Sequence, residues 1–231
     1  MSLRAAWDAN AGDWIRWARS PELDHGFWRM GLPWLLDLLP PPGRLTLDVG
    51  CGEGRLARVL HARGHTVLGV EPSPALASVA RGGEPAIEVL ESDAAAMPLD
   101  DGAADLAVAS IMLMNVDDMP VVVSEVARVL EPGGVFVFSV VHPVNSMGDA
   151  EAGYFETVRY SETLRAGDAE LTVHDTHRPL GAYFSALAAA GFMVERLAEP
   201  VPDDAHVEDH PEAARWRERP SFMLVKAVRR P

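Results

Sequence analysis

A glycine-rich turn carries the most informative chemistry in the sequence. Asp48, Gly50, Gly52 and Gly54 recur at every second position around the end of an apolar run that closes at Val49. Glycine lets the backbone adopt positive φ and approach a ligand where a Cβ atom would clash. The pattern therefore predicts a turn at the end of a buried strand that holds the polar end of a cofactor.

An acidic residue follows this turn at a spacing that is typical of nucleoside sites. Glu71 lies about 20 residues after Gly50, where a carboxylate accepts hydrogen bonds from a ribose diol. Arg55 occupies the third glycine position of the dinucleotide fingerprint, and Asp48 would repel a pyrophosphate. We therefore expect a cationic nucleoside cofactor, such as a sulfonium that also bears an ammonium group. A nicotinamide-dependent dehydrogenase is the alternative that these two residues disfavour.

The elements that must position these residues alternate along the chain. Apolar runs predict strands at residues 45–49, 66–70, 86–90, 105–109, 135–141, 192–197 and 222–228. Amphipathic spacing predicts helices at residues 55–63, 75–81, 119–130 and 178–190. Such alternation indicates parallel βαβ units. The fold class is a doubly wound α/β fold with a mostly parallel seven-stranded sheet, in which the two late strands form an antiparallel pair.

We expect a single domain over residues 1–231, divided into four parts. Residues 1–40 are predicted to form an N-terminal cap of two helices, and residues 44–141 the cofactor-binding core. Residues 142–177 interrupt the alternation, with two strands at 154–163 and 170–174 joined by a turn at Ala166, Gly167 and Asp168. Residues 178–231 hold the last helix and strands.

Composition limits the partners and the location that we expect. The formal charge of −14 repels a phosphate backbone, so no nucleic acid is expected as a partner. No apolar run is long enough to span a membrane and the first residues do not resemble a signal peptide, which predicts a cytoplasmic protein without membrane contact. Cys51 is the single cysteine and is expected to fill space inside the turn.

The stretch LDVGCGEG resembles the first motif of the class I S-adenosylmethionine-dependent methyltransferases. Resemblance also extends to GVEPS, ESDAAAMPL, LEPGG and the N-terminal WDANAGDW. It implies S-adenosylmethionine as cofactor and a small molecule as methyl acceptor. The cofactor-binding residues that it and the strand ends indicate are Asp48, Gly50, Gly52, Glu71, Pro72, Asp93, Ala94, Ser110 and Trp14, with Asp93 and the Ala94 amide near the adenine. Trp7 and Asn10 belong to the same N-terminal motif.

Several of these positions have a plainer interpretation. Ser110 either faces the cofactor or caps a loop, and the N-terminal tryptophans are more typical of helix packing than of a substrate platform. Related metal-dependent methyltransferases place a carboxylate where this sequence has Ser110, which disfavours them. His206 and His210 lie in an acidic stretch that we interpret as a solvated loop, so no metal site is expected.

The acceptor side is predicted to lie in the insertion that follows the fifth strand. His142 begins it at the carboxyl end of that strand and titrates near neutral pH, so it is the candidate general base for a hydroxyl acceptor. Tyr154, His174 and His177 are predicted to line the acceptor pocket. An amine or carboxylate acceptor would need no base. A non-catalytic cofactor-binding protein is a further alternative.

Overall fold

The computed structural model describes residues 3–149, 151 and 153–231. Strands in the described residues are β1 (Thr46–Val49), β2 (Val67–Val70), β3 (Glu88–Leu90), β4 (Ala104–Ser110), β5 (Leu130–Val141), β6 (Val158–Ala166), β7 (Ala169–His177), β8 (Phe192–Ala198) and β9 (Phe222–Arg229). All seven strands that the sequence predicts for the main sheet are present.

The main sheet has seven strands in the order β3-β2-β1-β4-β5-β9-β8. Strands β3, β2, β1, β4 and β5 pair in parallel, and β9 runs antiparallel to both β5 and β8. The predicted mostly parallel sheet with an antiparallel final pair is confirmed. Strand order reverses between β1 and β4, so the glycine turn after β1 lies at the crevice where ligands bind in such sheets.

Helices cover both faces of this sheet. The α-helices in the described residues are α1 (Leu3–Ala9), α2 (Ala11–Ala18), α3 (Leu32–Leu38), α4 (Arg55–Ala62), α5 (Pro74–Arg81), α6 (Met119–Val129), α7 (Pro143–Asp149), α8 (Leu180–Ala189) and α9 (Asp204–Asp209). Apolar residues of α6 and α8 pack on one face of the sheet, and those of α3 and α4 pack on the other. Burial on both faces explains the continuous apolar runs of the central strands.

The N-terminal region contains more elements than the two helices predicted. Asn10 separates α1 from α2, and Gly26–Gly31 form a π-helix that leads directly into α3. Helices α1 and α2 contact β7 and α5, so they lie over the edge of the sheet where the glycine turn is found. No helix in the described residues is long and apolar enough to cross a membrane.

The insertion after β5 contains the predicted hairpin, displaced along the sequence. Strands β6 and β7 pair antiparallel from Val158 with His177 to Ala166 with Ala169, and Gly167 in the two-residue turn has φ of 56°. The first predicted strand, 154–163, begins and ends too early relative to β6, and the second, 170–174, begins one residue late and ends three residues early relative to β7. Helix α7, which precedes it, was not predicted.

The core around α4 gives a test of the fold. Leu60 is fully buried between the sheet and the N-terminal helices. We expect Leu60→Ala to lower the free energy of unfolding by about 2–5 kcal/mol, because it leaves a cavity in a packed core. Urea denaturation measures the change. Met193→Ala is the control, since that side chain is 53% exposed and should change stability little; equal losses in both variants would contradict the placement of Leu60.

Candidate functional site

A cavity of about 870 Å³ opens at the carboxyl ends of the parallel strands. Its walls come from the glycine turn, the ends of β2 and β4, helices α1 and α2, the hairpin β6–β7, and the segment before β9. Pockets of this size commonly hold a small-molecule ligand or cofactor. All nine residues predicted to bind the cofactor line this cavity, although lining alone does not assign a role to each of them.

Asp48 is the most unusual charged group in the cavity wall. It is only 1% exposed, and its Oδ2 atom has no hydrogen-bond partner among the described residues. Burial raises the pKa of Asp48 to about 7, and the neighbouring Glu71 carboxylate adds to the rise. A buried carboxylate with an unpaired oxygen is costly unless a ligand supplies a donor or a positive charge.

The glycine turn places two residues in the left-handed region. Gly50 and Gly52 have φ of 72° and 57°, values that strain residues with a side chain. A Cβ atom on Gly52 would lie 3.2 Å from Nε1 of Trp14, and one on Gly50 would lie 3.0 Å from the Met112 side chain. The turn thus leaves space for a ligand only because these positions have no side chain.

Glu71 stabilises the turn from the end of β2. Its Oε2 accepts a hydrogen bond from the Gly52 amide at 2.9 Å, and its Oε1 accepts one from the Ser73 amide at 2.8 Å. Burial raises the pKa of Glu71 above its usual value, while these two bonds lower it. Each carboxylate oxygen can accept a further hydrogen bond, so Glu71 can still receive the hydroxyls of a ligand.

The other predicted cofactor residues differ in burial. Asp93 is exposed and accepts a hydrogen bond from the Ala95 amide, while Ala94 is buried. Pro72 lies in the wall beside Glu71, and its carbonyl accepts a hydrogen bond from Arg4 at 3.1 Å. Trp14 is half-buried and stands edge-on to Trp7 with ring centroids 5.5 Å apart.

The end of β4 holds a strained residue beside Ser110. Ile111 has φ of 51°, which is rare for a β-branched residue, and its amide donates to the carbonyl of Ser139 at 2.8 Å. The hydroxyls of Ser110 and Ser139 lie 3.2 Å apart. Ser110 therefore lines the cavity and also contacts the neighbouring strand. Backbone strain of the kind seen at Ile111 clusters at functional sites.

The hairpin presents one face to the cavity. Lining residues on β6 are Tyr160, Glu162, Leu164 and Ala166 with the adjoining Arg165, and on β7 they are Leu171, Val173 and Asp175. This spacing of two follows from the alternation of side chains along a strand. The Tyr160 hydroxyl lies 3.3 Å from Oδ2 of Asp175, which is 4% exposed, so the hairpin brings a phenol and a carboxylate together in the wall.

His142 does not line the cavity, so its predicted role as a base stays a prediction that no contact in the cavity supports. It is 3% exposed; its Nδ1 accepts a hydrogen bond from the Val144 amide and its Nε2 lies 3.0 Å from Oε1 of Glu199. Burial lowers the pKa of His142, and Glu199 opposes that change. Both nitrogens are thus engaged in holding the start of the insertion against the chain that follows β8.

Tyr154, His174 and His177 are also absent from the cavity lining, so their assignment to the acceptor pocket stays a prediction that the lining does not support. His174 is an even-numbered position of β7 and points to the opposite face, where it contacts Ser161 at 2.7 Å. His177 is fully buried between Ser146 and the Tyr154 carbonyl. The Tyr154 hydroxyl accepts a hydrogen bond from the Leu180 amide and so supports α8 instead.

The cap residues Trp7 and Asn10 bind the hairpin. Nε1 of Trp7 donates to the His174 carbonyl at 3.1 Å, and Nδ2 of Asn10 donates to the Thr172 carbonyl at 2.6 Å. Trp7 and Trp14 line the cavity, whereas Asn10 does not. The motif thus holds α1 and α2 against β7 in addition to facing the cavity.

Sequence reasoning missed cavity residues that come from distant segments. Arg55 lies over the Phe27 ring, with its Cζ 3.5 Å from the ring centroid, and pairs with Asp24 at 2.5 Å. His25 and Trp216 also line the cavity, and their rings stack with centroids 5.5 Å apart. No local motif marks these side chains, because their positions depend on contacts between the N-terminal region and the chain before β9. Only the aromatic content of the first 30 residues pointed to such packing.

The acidic stretch before β9 is not the solvated loop predicted. It forms α9 and a 3₁₀ helix at Pro211–Arg217, and His206 is 2% exposed. Asp203 caps α9 by accepting the His206 amide at 2.7 Å. Proline and acidic residues were interpreted as loop signals there, but here they begin short helices.

Cys51 contacts the apolar side chains beneath the turn, as expected for a space-filling residue. Its Sγ would lie 2.6 Å from a Cβ atom on Gly69 of the adjacent strand, so the thiol occupies the space which that glycine leaves. Burial raises the pKa of Cys51 well above its usual value. The group therefore stays protonated and is a poor nucleophile.

Comparisons with known proteins agree with this geometry. The sequence model of the methyltransferase domain matches residues 47–138, which run from β1 into β5. A crystal structure of an S-adenosylmethionine-dependent methyltransferase from Mesorhizobium loti is 31% identical, with a TM-score of 0.69 over 85% of this chain and 96% of that one. Geranyl diphosphate C-methyltransferase from Streptomyces coelicolor, with a TM-score of 0.63 over 85% of this chain and 77% of that one, is 21% identical and shares the fold.

A curated relative matches a shorter stretch. Malonyl-[acyl-carrier protein] O-methyltransferase from Serratia marcescens is 35% identical over 111 residues, which are 47% of this chain and 44% of that protein. This chain spans about half the length of the curated relatives that it matches. The dehydrogenase alternative is wrong, since the matched family uses a different cofactor. The chain belongs to the S-adenosylmethionine-dependent methyltransferase family.

Proposed function

We propose that this protein transfers the methyl group of S-adenosylmethionine to a small-molecule acceptor. The observation that carries the proposal is the buried, unpaired oxygen of Asp48 in the wall of a cavity built on the glycine turn. A cationic cofactor relieves the cost of this carboxylate, whereas a pyrophosphate would increase it.

The residues around the turn fit the cofactor. Asp48, Gly50 and Gly52 would receive its amino-acid end, because Oδ2 of Asp48 can accept a hydrogen bond there and no Cβ atom fills the turn. Glu71 would accept hydrogen bonds from the ribose hydroxyls, and Asp93 would contact the adenine. Trp14, Pro72, Ala94 and Ser110 would complete the walls of this site.

The bound cofactor supplies a methyl group that its sulfonium charge has already activated. The protein's own part is then to align an acceptor and exclude water. Alignment of the two reactants can lower the activation barrier by several kcal/mol. The hairpin face supplies polar groups for this purpose, namely Tyr160 and Asp175. Tyr160 can hold an acceptor oxygen or nitrogen, and Asp175 can take a proton or bear against a positive charge.

The charge of the cavity favours a small acceptor over a nucleic acid. Among the described lining residues there are twelve carboxylates and five arginines, and the chain carries a formal charge of −14. Both features repel phosphate backbones. An oxygen or nitrogen atom of an uncharged or cationic metabolite fits these walls, and we infer that methylation takes place in the cytoplasm.

A turnover assay tests the proposal. The protein is incubated with S-adenosylmethionine and a panel of phenols, amines and carboxylic acids, and release of S-adenosylhomocysteine is measured. We expect the wild-type protein to convert a member of the panel that the Gly52→Trp variant fails to convert. Cofactor binding without turnover of any panel member would favour the non-catalytic alternative.

Asp48 makes cofactor binding dependent on pH. The raised pKa of about 7 means that the carboxyl is neutral below pH 7 and charged above it. We expect wild-type affinity for S-adenosylmethionine to fall roughly 5-fold between pH 7 and pH 6, because a neutral Asp48 attracts the cation less. Asp48→Asn should bind roughly 10- to 100-fold more weakly at pH 7.5, with a smaller deficit at pH 6.

Calorimetry at both pH values measures this dependence. Protonation of the cofactor changes the affinity of both proteins equally. Its effect therefore cancels in the ratio of wild-type to Asp48→Asn affinity. Asp100→Asn is the control, because that exposed carboxylate lies outside the cavity lining. A ratio that stays constant between pH 6 and pH 7.5 would contradict a direct interaction of Asp48 with the cofactor.

Tyr160 provides a test of the acceptor side. We expect Tyr160→Phe to lower kcat/KM for the acceptor by roughly 10-fold, because one hydrogen bond to the acceptor is lost while the packing of the ring is kept. Affinity for the cofactor should not change. Tyr154→Phe is the matched control, since its hydroxyl bonds outside the cavity. Equal losses of kcat/KM in both variants would remove Tyr160 from the acceptor site.

A further inference from the structure

A cluster of three imidazoles lies beside the cavity, and one of them, His25, lines it. His25 comes from the turn before the π-helix, His206 from α9, and His210 from the residue after α9. The rings of His25 and His210 are parallel with centroids 3.9 Å apart, and His206 stands edge-on to both. The cluster therefore joins two segments that are about 180 residues apart.

Glu212 brings a carboxylate to the same point. Its Oε1 lies 3.3 Å from Nε2 of His25 and 3.6 Å from Nδ1 of His210. One ligand atom from each of the three residues lies within 4.8 Å of the others. Ligand atoms at zinc bond lengths of 2.0–2.2 Å in a tetrahedral site are roughly 3.3–3.6 Å apart, so the two distances to Glu212 are in the range of a ligand set.

We propose that His25, His210 and Glu212 bind a zinc-class divalent cation. Two imidazoles and one carboxylate leave a fourth position open, as in catalytic zinc sites. His25 and Glu212 line the cavity, so that open position is available to a donor atom of a bound molecule. Imidazole nitrogen favours zinc, cobalt, nickel or copper over magnesium, which prefers oxygen ligands.

His206 contacts His25 on the side away from Glu212 and fixes its orientation. Its Nε2 lies 2.8 Å from Nδ1 of His25, so it can accept the proton on the nitrogen that faces away from Glu212. A hydrogen bond to the second nitrogen of a metal-binding histidine sets its tautomer and orientation. His25 is consequently held with Nε2 free to bind the cation.

One adjustment is needed to bind the ion. A metal lies near the plane of each ring that binds it, and the rings of His25 and His210 are stacked, with 5° between their planes. His210 must tilt, which its position after α9 and its side-chain exposure of 22% permit, while His25 is 13% exposed and held by His206. Two nearby carboxylates are already paired with arginines, Asp204 with Arg217 and Asp209 with Arg29, so binding of the ion depends on the three ligand residues themselves.

Zinc titration of chelator-treated protein tests the proposal without reference to methyl transfer. Calorimetry should show one Zn²⁺ bound with a Kd of micromolar or below, and Co²⁺ should give the absorption of a four-coordinate site. We expect Glu212→Gln and His210→Gln to weaken Zn²⁺ binding at least 10-fold. Glu208→Gln and His61→Gln are matched controls on exposed residues outside the cluster and should bind as wild type does.

Glu212 is the decisive position because its side chain is 58% exposed, so its substitution leaves the fold intact. Thermal melting of each variant checks this. Unchanged Zn²⁺ affinity in Glu212→Gln and His210→Gln, uptake of several equivalents, or no saturable uptake would overturn the site and leave the cluster as packing of the stacked rings. Cofactor affinity, measured in parallel, is expected to be wild-type, so failure of this site is distinguishable from failure of the proposed function.

Discussion

The burial of one carboxylate determines how this site is built. Asp48 lies one residue before the end of β1 and is almost entirely excluded from solvent, and its Oδ2 has no partner among the described residues. In the folded protein this buried carboxylate is stabilised only if a hydrogen-bond donor or a positive charge is placed beside it. The glycine turn, the Glu71 carboxylate that holds it, and the strained Ile111 all lie around that point. A ligand that satisfies Asp48 thereby contributes free energy that the fold itself does not provide.

The cavity divides into two regions that have different structural origins. The end near the glycine turn is formed by the edge of a rigid parallel sheet, where backbone amides and strand-end carboxylates are fixed by pairing. The other end is formed by the hairpin and by the segment before β9, which the sheet does not constrain directly. Rigid support suits a constant cofactor, whereas the second region can vary in shape and chemistry with its acceptor. The alternation of side chains along the hairpin makes such variation possible, because every second residue faces the cavity and can differ without changing the strand pairing.

Much of the core was predictable from the sequence because its signals are local. The strands and the helices between them follow from periodicity. The nine residues predicted from strand ends and from the family resemblance lie in the cavity wall. The acceptor side was not predictable in the same way. His142, His174 and His177 were chosen by residue type and topology, but the side on which each imidazole lies depends on strand parity and on long-range partners such as Glu199. His25 likewise meets His206 only in the folded chain.

The N-terminal helices connect the two regions of the cavity. Trp14 lies beside the glycine turn, and Trp7 and Asn10 hold β7 through hydrogen bonds to its carbonyls. Order in these helices therefore contributes at once to the wall of the cofactor region and to the position of the hairpin. Any ligand that stabilises the helices in one region lowers the entropic cost of ordering the other, and linkage makes this coupling reciprocal. We therefore expect binding in the two regions to be coupled through these helices, in addition to the direct contact between cofactor and acceptor that methyl transfer requires.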